Sequence, residues 1–362
     1  MHLPRHAELW FPGYLRDRIA RTFKSDRTQR VWVAVMDHYE PFWNKPSIEQ
    51  ATRRVRAWSD NWPEIASRAP RDSAGNAPTH TFFYPQEEYR AEFIEQLAGM
   101  TRAGIADVEI HIHHDREGRD EFIRRMSEYR DCLVRDHRLL RKEEGKVRFG
   151  FIHGNWALDN SLPDGHFCGL NDEITILRDL GCYADFTMPS GNSASQSTIV
   201  NSIYWCKDDP EKPKSYDRGI PAESTKWNNG DLLIVDGPLG LRWKDRLIPR
   251  LETGEVAAYD LPTPYRVKRW FDLAPVLGAD RFIKLYTHGA TESNAGALLH
   301  GGLRDLYQQI AAEANSREVA LYFVSAWQMY VAIRAACTGM NPAESISRSI
   351  NAEAPRGIGI QS

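Results

Sequence analysis

Residues 107–115 have the sequence DVEIHIHHD, in which a β-strand pattern runs directly into metal-ligating side chains. Polar and apolar residues alternate, as they do in a strand with two different faces. Because successive strand side chains point to opposite faces, Glu109, His111 and His113 are predicted to share one face and His114 to turn away. Two imidazoles at a strand end can bind one metal ion. Taken alone, the segment is also compatible with a histidine-rich surface turn.

The rest of the chain alternates predicted strands with predicted helices. The other strands are predicted at 31–36, 79–84, 149–152, 183–188, 232–235 and 282–286. The helices are predicted at 48–68, 89–104, 119–141, 170–181, 296–314 and 325–338. This alternation is typical of parallel βαβ units in an α/β fold. Three of the other strands end at Asp37-His38, at His153 and at His288. Active sites of parallel α/β folds lie at the carboxyl ends of strands, so a distorted (β/α) barrel of parallel strands with a metal site is predicted.

A single domain is predicted over residues 1–362. Residues 1–28 form a helical leader with Leu15, Ile19 and Phe23 at helical spacing. The barrel core spans 29–290, and C-terminal helices occupy 291–352. Residues 190–231 form a long irregular insertion, either a cover over the site or a β-rich excursion. Trp205 and Trp227 in this insertion are candidate platforms for sugar stacking.

Composition excludes several classes of function. The chain has 362 residues, 42% of them hydrophobic, and a net charge of −3 without blocks of like charge, so no nucleic-acid surface is expected. The five cysteines are odd in number and widely spaced, which indicates a reducing compartment. No apolar signal region and no long apolar run is present, so a cytoplasmic protein without an integral membrane segment is expected. The oligomeric state stays open.

The residues at the strand ends predict metal-dependent hydrolysis. His38, His111 and His113 can supply the three protein ligands of a catalytic zinc, which keeps one position open for water. Such an ion lowers the pKa of bound water and polarises a substrate carbonyl. Asp37 is the candidate general base and His288 the candidate acid for the leaving group, with His153 as an alternative acid. The predicted substrate-binding residues are His114, Asp115, His153, Asn155 and Trp156.

Other interpretations of the same residues stay open. Asp37 before Glu40-Pro41 can simply begin a turn, and His153-Gly154-Asn155 and His288-Gly289 can be turns as well. No Gly-x-Ser-x-Gly elbow, Walker loop or Gly-x-Gly-x-x-Gly fingerprint is present. A glycosidase with paired carboxylates remains possible and has five candidate residues: Asp37, Glu40, Asp115, Asp159 and Asp236.

These motifs resemble those of a divergent member of the polysaccharide deacetylase (NodB-homology) superfamily. Its members have a distorted β/α barrel and use a divalent metal to remove acetyl groups from N-acetylated sugars. The resemblance places Asp37-His38 at the family's adjacent aspartates, of which the first is the base and the second a ligand. It places Glu109–His113 at the second motif, with His113 as the first motif histidine. The late leucine-histidine motif corresponds to Leu285–His288.

The sequence also departs from the family pattern. His38 replaces the second aspartate, and Glu117 stands where the second histidine of the pair is expected. The resemblance therefore implies that His111 or His114 replaces the missing ligand, and strand alternation favours His111. The family's arginine-proline motif is not recognisable, and residues 151–156 stand roughly in its place.

The resulting expectation is a metal-dependent hydrolase that removes an acetyl or similar acyl group from an N-acetylated sugar or polysaccharide precursor. Zinc is the expected cofactor, with nickel or cobalt as alternatives, and the expected partner is a carbohydrate substrate. Two alternatives are a barrel glycoside hydrolase, whose activity would survive chelation, and a non-catalytic glycan-binding protein with a degenerate site.

Overall fold

The computed structural model describes residues 3–23, 25–228, 230–244 and 248–353, so the predicted leader and insertion each contain residues outside the described part. The described strands are β1 Arg30–His38, β2 His80–Pro85, β3 Ala106–Ile112, β4 Arg141–Glu143, β5 Lys146–His153, β6 Cys182–Asp185, β7 Ile203–Cys206, β8 Gly219–Pro221, β9 Leu232–Val235, β10 Gly240–Lys244, β11 Ile248–Glu252, β12 Val276–Leu277, β13 Asp280–Thr287 and β14 Ala320–Phe323. The described helices are α1 Ala7–Thr22, α2 Ile48–Arg68, α3 Ala91–Arg102, α4 Arg119–His137, α5 Glu173–Leu180, α6 Pro264–Leu273, α7 Glu292–Ala297, α8 Leu303–Ser316, α9 Ala326–Thr338 and α10 Pro342–Glu353.

One large sheet forms the centre of the molecule. Its parallel part has the order β13-β1-β2-β3-β5-β6-β9, which confirms the predicted α/β fold with a mostly parallel sheet. Antiparallel strands extend both sides, β12 next to β13, and β7 and β8 beyond β9. Among the described residues, strand pairing does not close the sheet into a ring. All parallel strands end on the same side of the sheet, which we call the carboxyl edge.

The two faces of the sheet are both buried, which explains the continuous apolar runs of its central strands. Val31, Val33 and Val35 of β1 belong to one hydrophobic cluster, together with residues of α2, α3 and α8. Trp32 and Met36, on the opposite face of β1, belong to a second cluster that includes most of α9. Strand alternation therefore determines, residue by residue, which side chains of β1 face each cluster.

A buried lysine connects two distant strands of the sheet. Lys284 of β13 is 1% exposed, and its Nζ donates a hydrogen bond to the carbonyl oxygen of Phe186 at 2.8 Å. It donates another to the carbonyl oxygen of Met188. Both acceptors follow β6, five strands away from β13 in the sheet order. The sheet is therefore curved strongly enough for one lysine to span it.

The predicted insertion at 190–231 is partly β-structure. It contains β7 and β8, which continue the sheet beyond β9, so the β-rich alternative describes this part of the segment. Trp205 and Trp227 pack against each other with ring centroids 4.7 Å apart, and Trp227 also contacts Tyr330 of α9. Trp205 therefore lies in the core beside α9, and the half-buried Trp227 packs against this core, which does not favour the predicted role in sugar stacking.

Helix α1, Ala7–Thr22, lies within the predicted leader, but its buried face differs from the predicted one. Trp10 and Tyr14 are buried against a small cluster, whereas Ile19 and Phe23 are 59% and 83% exposed. Trp10 and Tyr14 are large aromatic residues, whose burial contributes strongly to packing. None of the described helices combines the length and the apolar character needed to cross a membrane.

Candidate functional site

Two strands bring three potential metal ligands together at the carboxyl edge. His38 is the last residue of β1, Glu40 follows it by two residues, and His111 lies near the end of β3. One ligand atom of each lies within 4.8 Å of the others, and all three side chains are buried. We call these three residues the first cluster. Two imidazoles and a carboxylate are a donor set that can hold a divalent metal ion.

The hydrogen bonds of His111 show why a cation fits the first cluster. Its Nδ1 is 2.8 Å from the carbonyl oxygen of Ile152, which can only accept, so Nδ1 carries a proton. Neutral His111 then presents a lone pair at Nε2, which lies 3.2 Å from Oε1 of Glu40. Two lone pairs that face each other need a proton or a metal ion between them. Burial lowers the pKa of His111, although Glu40 opposes this shift.

His113 adds a third imidazole beside the first cluster. Its Nδ1 donates to Oε1 of Glu87 at 2.5 Å, and its Nε2 lies 3.6 Å from Oε1 of Glu40. A carboxylate on one ring nitrogen orients the ring and directs the other nitrogen toward a ligand position. Burial acts to lower the pKa of His113, but the bond to Glu87 raises it overall. His111 and His113 therefore face the same group, as strand alternation predicts.

His288 and two tryptophans border the first cluster on its exposed side. The ring of His288 is 4.8 Å from that of His38, and Trp156 lies 6.1 Å from His288. Trp43 lies 6.5 Å from the same ring and is 46% exposed. Burial lowers the pKa of His38 well below its usual range, and His288 and His111 lower it further. The first cluster is thus buried, and its border includes half-buried and exposed side chains.

Asp37, the predicted base, does not belong to the first cluster. Alternation along β1 places its side chain on the face opposite His38. There its Oδ1 accepts a hydrogen bond from the backbone N–H of Gly289 at 2.7 Å, and its Oδ2 lies 3.0 Å from Nε2 of His80. The carboxylate is fully buried and connects the end of β1 to the beginning of β2 and to the segment that follows β13. Its catalytic role stays a prediction that this geometry does not favour, and Glu40 is the carboxylate beside His111.

A second cluster of buried ligands lies on the other side of the β3 end. It consists of His114, His153, Cys168 and Glu173, whose ligand atoms also lie within 4.8 Å of one another. His114 follows β3, His153 ends β5, Cys168 lies in the next loop and Glu173 begins α5. His114 and His153, which were predicted to bind substrate, contact each other at this cluster, with Nε2 atoms 2.9 Å apart.

The other predicted substrate-binding residues fall in different places. Trp156 borders the first cluster, and Asn155 precedes it in a turn in which both residues have positive φ. Asp115 is exposed and accepts a hydrogen bond from the N–H of Phe167 at 2.7 Å, so it holds the loop before α5. The structure therefore brings one of the predicted substrate-binding side chains, Trp156, next to His38 and His288.

Several site residues were missed or given a different role by the sequence interpretation. Glu40 was considered only for a carboxylate pair, although alternation from His38 places it on the same side. Glu87 lies two residues after the end of β2, so the rule of strand ends could have found it. Cys168 and Glu173 lie in and after an irregular loop, where no spacing rule connects them to His114.

No protein-family model matches this sequence, and no curated protein shows significant similarity to it. The functional interpretation therefore depends on the geometry of the two clusters.

Proposed function

We propose that the protein is a metal-dependent hydrolase that removes an acetyl or similar acyl group from an N-acetylated sugar or polysaccharide precursor. The observation that carries this proposal is the first cluster, in which His38, Glu40 and His111 converge at the carboxyl edge. Catalytic metal sites of this kind use three protein ligands and leave a position for water. The neighbouring half-buried residues leave a side from which a substrate can approach.

In this proposal His38, Glu40 and His111 hold a divalent ion, most simply zinc. Bound there, the ion supplies a water of lowered pKa and polarises the acyl carbonyl. Ile152 fixes the His111 ring through its carbonyl oxygen, so that Nε2 is available as a ligand atom. Glu87 fixes His113 in the same way beside them.

Proton transfer falls to residues in reach of the first cluster. Glu40 has two carboxylate oxygens, and one can accept a proton while the other faces His111. His288 lies on the exposed side next to His38, where it can donate a proton to a leaving amine. In these assignments His288 keeps its predicted role as the acid, and Glu40 replaces Asp37 as the proton-accepting carboxylate.

The surroundings of the first cluster support a carbohydrate substrate. Trp43 and Trp156 both lie next to His288, on the border of the cluster. Aromatic rings offer flat apolar faces with polar edges, and these suit the apolar faces and hydroxyl groups of a sugar ring.

The finer fold assignment belongs to the same proposal. We interpret the curved sheet as a distorted and incompletely closed β/α barrel, with the first cluster at its carboxyl end. The span of Lys284 from β13 to the carbonyl oxygens of Phe186 and Met188 supports this interpretation. Active sites of such barrels lie at the carboxyl ends of the strands.

The proposal is tested with purified protein and a panel of N-acetylated sugars and oligosaccharides. We expect acetate release that stops on chelation, returns with added zinc, nickel or cobalt, and is lost in a His111→Ala variant. The control is His300→Ala, which removes an exposed histidine of the α7–α8 connection. Activity that survives chelation would favour the glycosidase alternative. Absence of bound metal and of acetate release after metal addition would overturn the proposal.

A further inference from the structure

The geometry points to a second metal site, in which His114, His153, Cys168 and Glu173 enclose a zinc-like ion with a structural role. This site would be distinct from the first cluster and does not depend on the proposed hydrolase activity. Its ligands come from the ends of β3 and β5, from the loop before α5 and from the first residue of α5. All four side chains are buried.

The hydrogen bonds within the second cluster leave too few protons for its acceptor atoms. Nδ1 of His153 is 2.6 Å from the carbonyl oxygen of Gly154 and therefore carries a proton, which leaves a lone pair at Nε2. That Nε2 lies 2.9 Å from Nε2 of His114 and 3.3 Å from Oε1 of Glu173. Nε2 of His114 lies 3.1 Å from the same oxygen. A proton on His114 can point to only one of these acceptors, whereas a central cation binds all of them.

The outer nitrogen of His114 supports the same conclusion. Its Nδ1 is buried without a hydrogen-bond partner among the described residues, and Oε2 of Glu117 lies 3.6 Å away. If a metal ion binds Nε2, the proton of neutral His114 moves to Nδ1 and faces this carboxylate. Carboxylates commonly orient metal-bound histidines in this way.

The remaining two ligands, Cys168 and Glu173, accept hydrogen bonds from backbone N–H groups. The N–H groups of Asn160 and Leu170 lie 3.2 and 3.5 Å from Sγ of Cys168 and can donate to a thiolate. Burial and the charge of Glu173 raise the pKa of this thiol, so the thiolate requires the bound cation. The N–H of Asp159 donates to Oε2 of Glu173 at 2.7 Å and leaves Oε1 directed at the two histidines. Two imidazoles, a thiolate and a carboxylate form a four-ligand set that suits tetrahedral zinc or cobalt.

The loop that these ligands enclose needs such an anchor. Between β5 and α5, six residues other than glycine have positive φ: Asn155, Trp156, Asp159, Asn160, Asp164 and Phe167. Each such residue costs about 1 kcal/mol or more, so surrounding contacts must impose the conformation. A metal ion bound by His153, Cys168 and Glu173 would fix the beginning and the end of this loop together.

The test combines metal counting with cobalt spectroscopy on the whole protein. We expect two ions per chain, one for each cluster. His111→Ala should retain one ion. This substitution removes a ligand of the first cluster only, so the second cluster keeps all four of its ligands. The cobalt-loaded protein should show a near-ultraviolet charge-transfer band from sulfur to cobalt, because Cys168 is the one sulfur ligand in either cluster.

Two matched cysteine variants test whether the band comes from Cys168. It should disappear in Cys168→Ser and persist in Cys206→Ser, whose cysteine is equally buried but lies in β7. A band that persists in Cys168→Ser, or is absent from cobalt-loaded wild-type protein, would overturn the proposal. If Cys168→Ser does not fold, the His111→Ala count still decides, since a folded variant without any metal contradicts a second site.

Discussion

The first and second clusters use the same strand end and similar ligands, but they differ in what surrounds them. His111 of the first cluster lies in β3, and His114 of the second cluster is three residues further along the chain, just after the strand. The first cluster is bordered by the half-buried His113 and His288, whereas the second is enclosed by a loop and adds a cysteine. A ligand set with an accessible side suits catalysis, and a closed set suits a structural ion.

Residues next to the two clusters are also in contact with each other. Gly154, directly after the second-cluster residue His153, packs against the ring of His113 so closely that a Cβ there would collide with it. The loop that begins at Gly154 continues to Trp156 beside the first cluster. Order in the second cluster is therefore expected to position side chains around the first.

The largest expected effect is on kcat/KM, and it distinguishes the roles of the two carboxylates near His38, Glu40 and Asp37. Glu40→Gln should lower kcat/KM by about 10³-fold, because it removes both a metal ligand and a proton acceptor. Asp37→Asn should lower it by less than about 10-fold, since an amide can still accept from Gly289 and donate to His80. Initial rates of acetate release at fixed metal concentration measure both. A loss in Asp37→Asn as large as that in Glu40→Gln would restore Asp37 as the base.

The next largest effect is on the stability of the fold and concerns the second cluster. Glu173→Gln should destabilise the fold by about 3–5 kcal/mol, because it weakens a buried metal site whose binding energy contributes to folding. Burial acts to raise the pKa of Glu173, but His153 and His114 lower it well below its usual range, so the residue is ionised. Thermal unfolding should show a midpoint lower by roughly 5 °C, while the variant retains the first-cluster ion. An unchanged midpoint would contradict a structural role for the second cluster.

These two clusters show which parts of the site sequence patterns can predict. His38 and His111 were found because strand alternation and the common carboxyl edge of parallel strands are regular rules. The same alternation, applied to β1, separates Asp37 from His38, but Asp37 was assigned as the base because it is next to His38 in the sequence, and the family resemblance supported this assignment. The resemblance aligns positions along the chain, whereas the direction of a side chain depends on strand geometry.

The second cluster could not be predicted from sequence patterns, for a different reason. Cys168 and Glu173 approach His153 through a loop with several positive-φ residues, and such a path has no periodicity. The strands of the parallel order β13-β1-β2-β3-β5-β6-β9 and most helices, by contrast, follow from periodic apolar patterns, and β9 and α2 agree with the predicted ranges. In α1 the helix was predicted but the buried face was not, because burial there depends on tertiary contacts of Trp10 and Tyr14.

A smaller effect should reveal the contact between the clusters. Gly154→Ala would push the ring of His113 aside and should weaken metal binding at the first cluster by about 10-fold. The second-cluster ion should be retained, because Gly154 contributes only its carbonyl oxygen to His153. Gly296→Ala is the control, since a Cβ at that helical position meets nothing within 4 Å. Competition with a chelator measures the affinity, and equal affinities in the two variants would show that the clusters are uncoupled.

The smallest expected effect concerns substrate binding at the accessible side of the first cluster. Trp43→Ala should raise KM for the sugar by about 3–10-fold with little change in kcat, because one ring contact contributes about 0.5–1.5 kcal/mol. Trp243→Ala is the matched control: that ring is 52% exposed, close to the 46% of Trp43, but belongs to β10. Since Trp43 touches neither cluster's ligand atoms, metal content should stay the same. An equal change in KM for both variants would mean that Trp43 is not part of the sugar-binding surface, and the accessible side would then have to bind its substrate through Trp156 and the histidines.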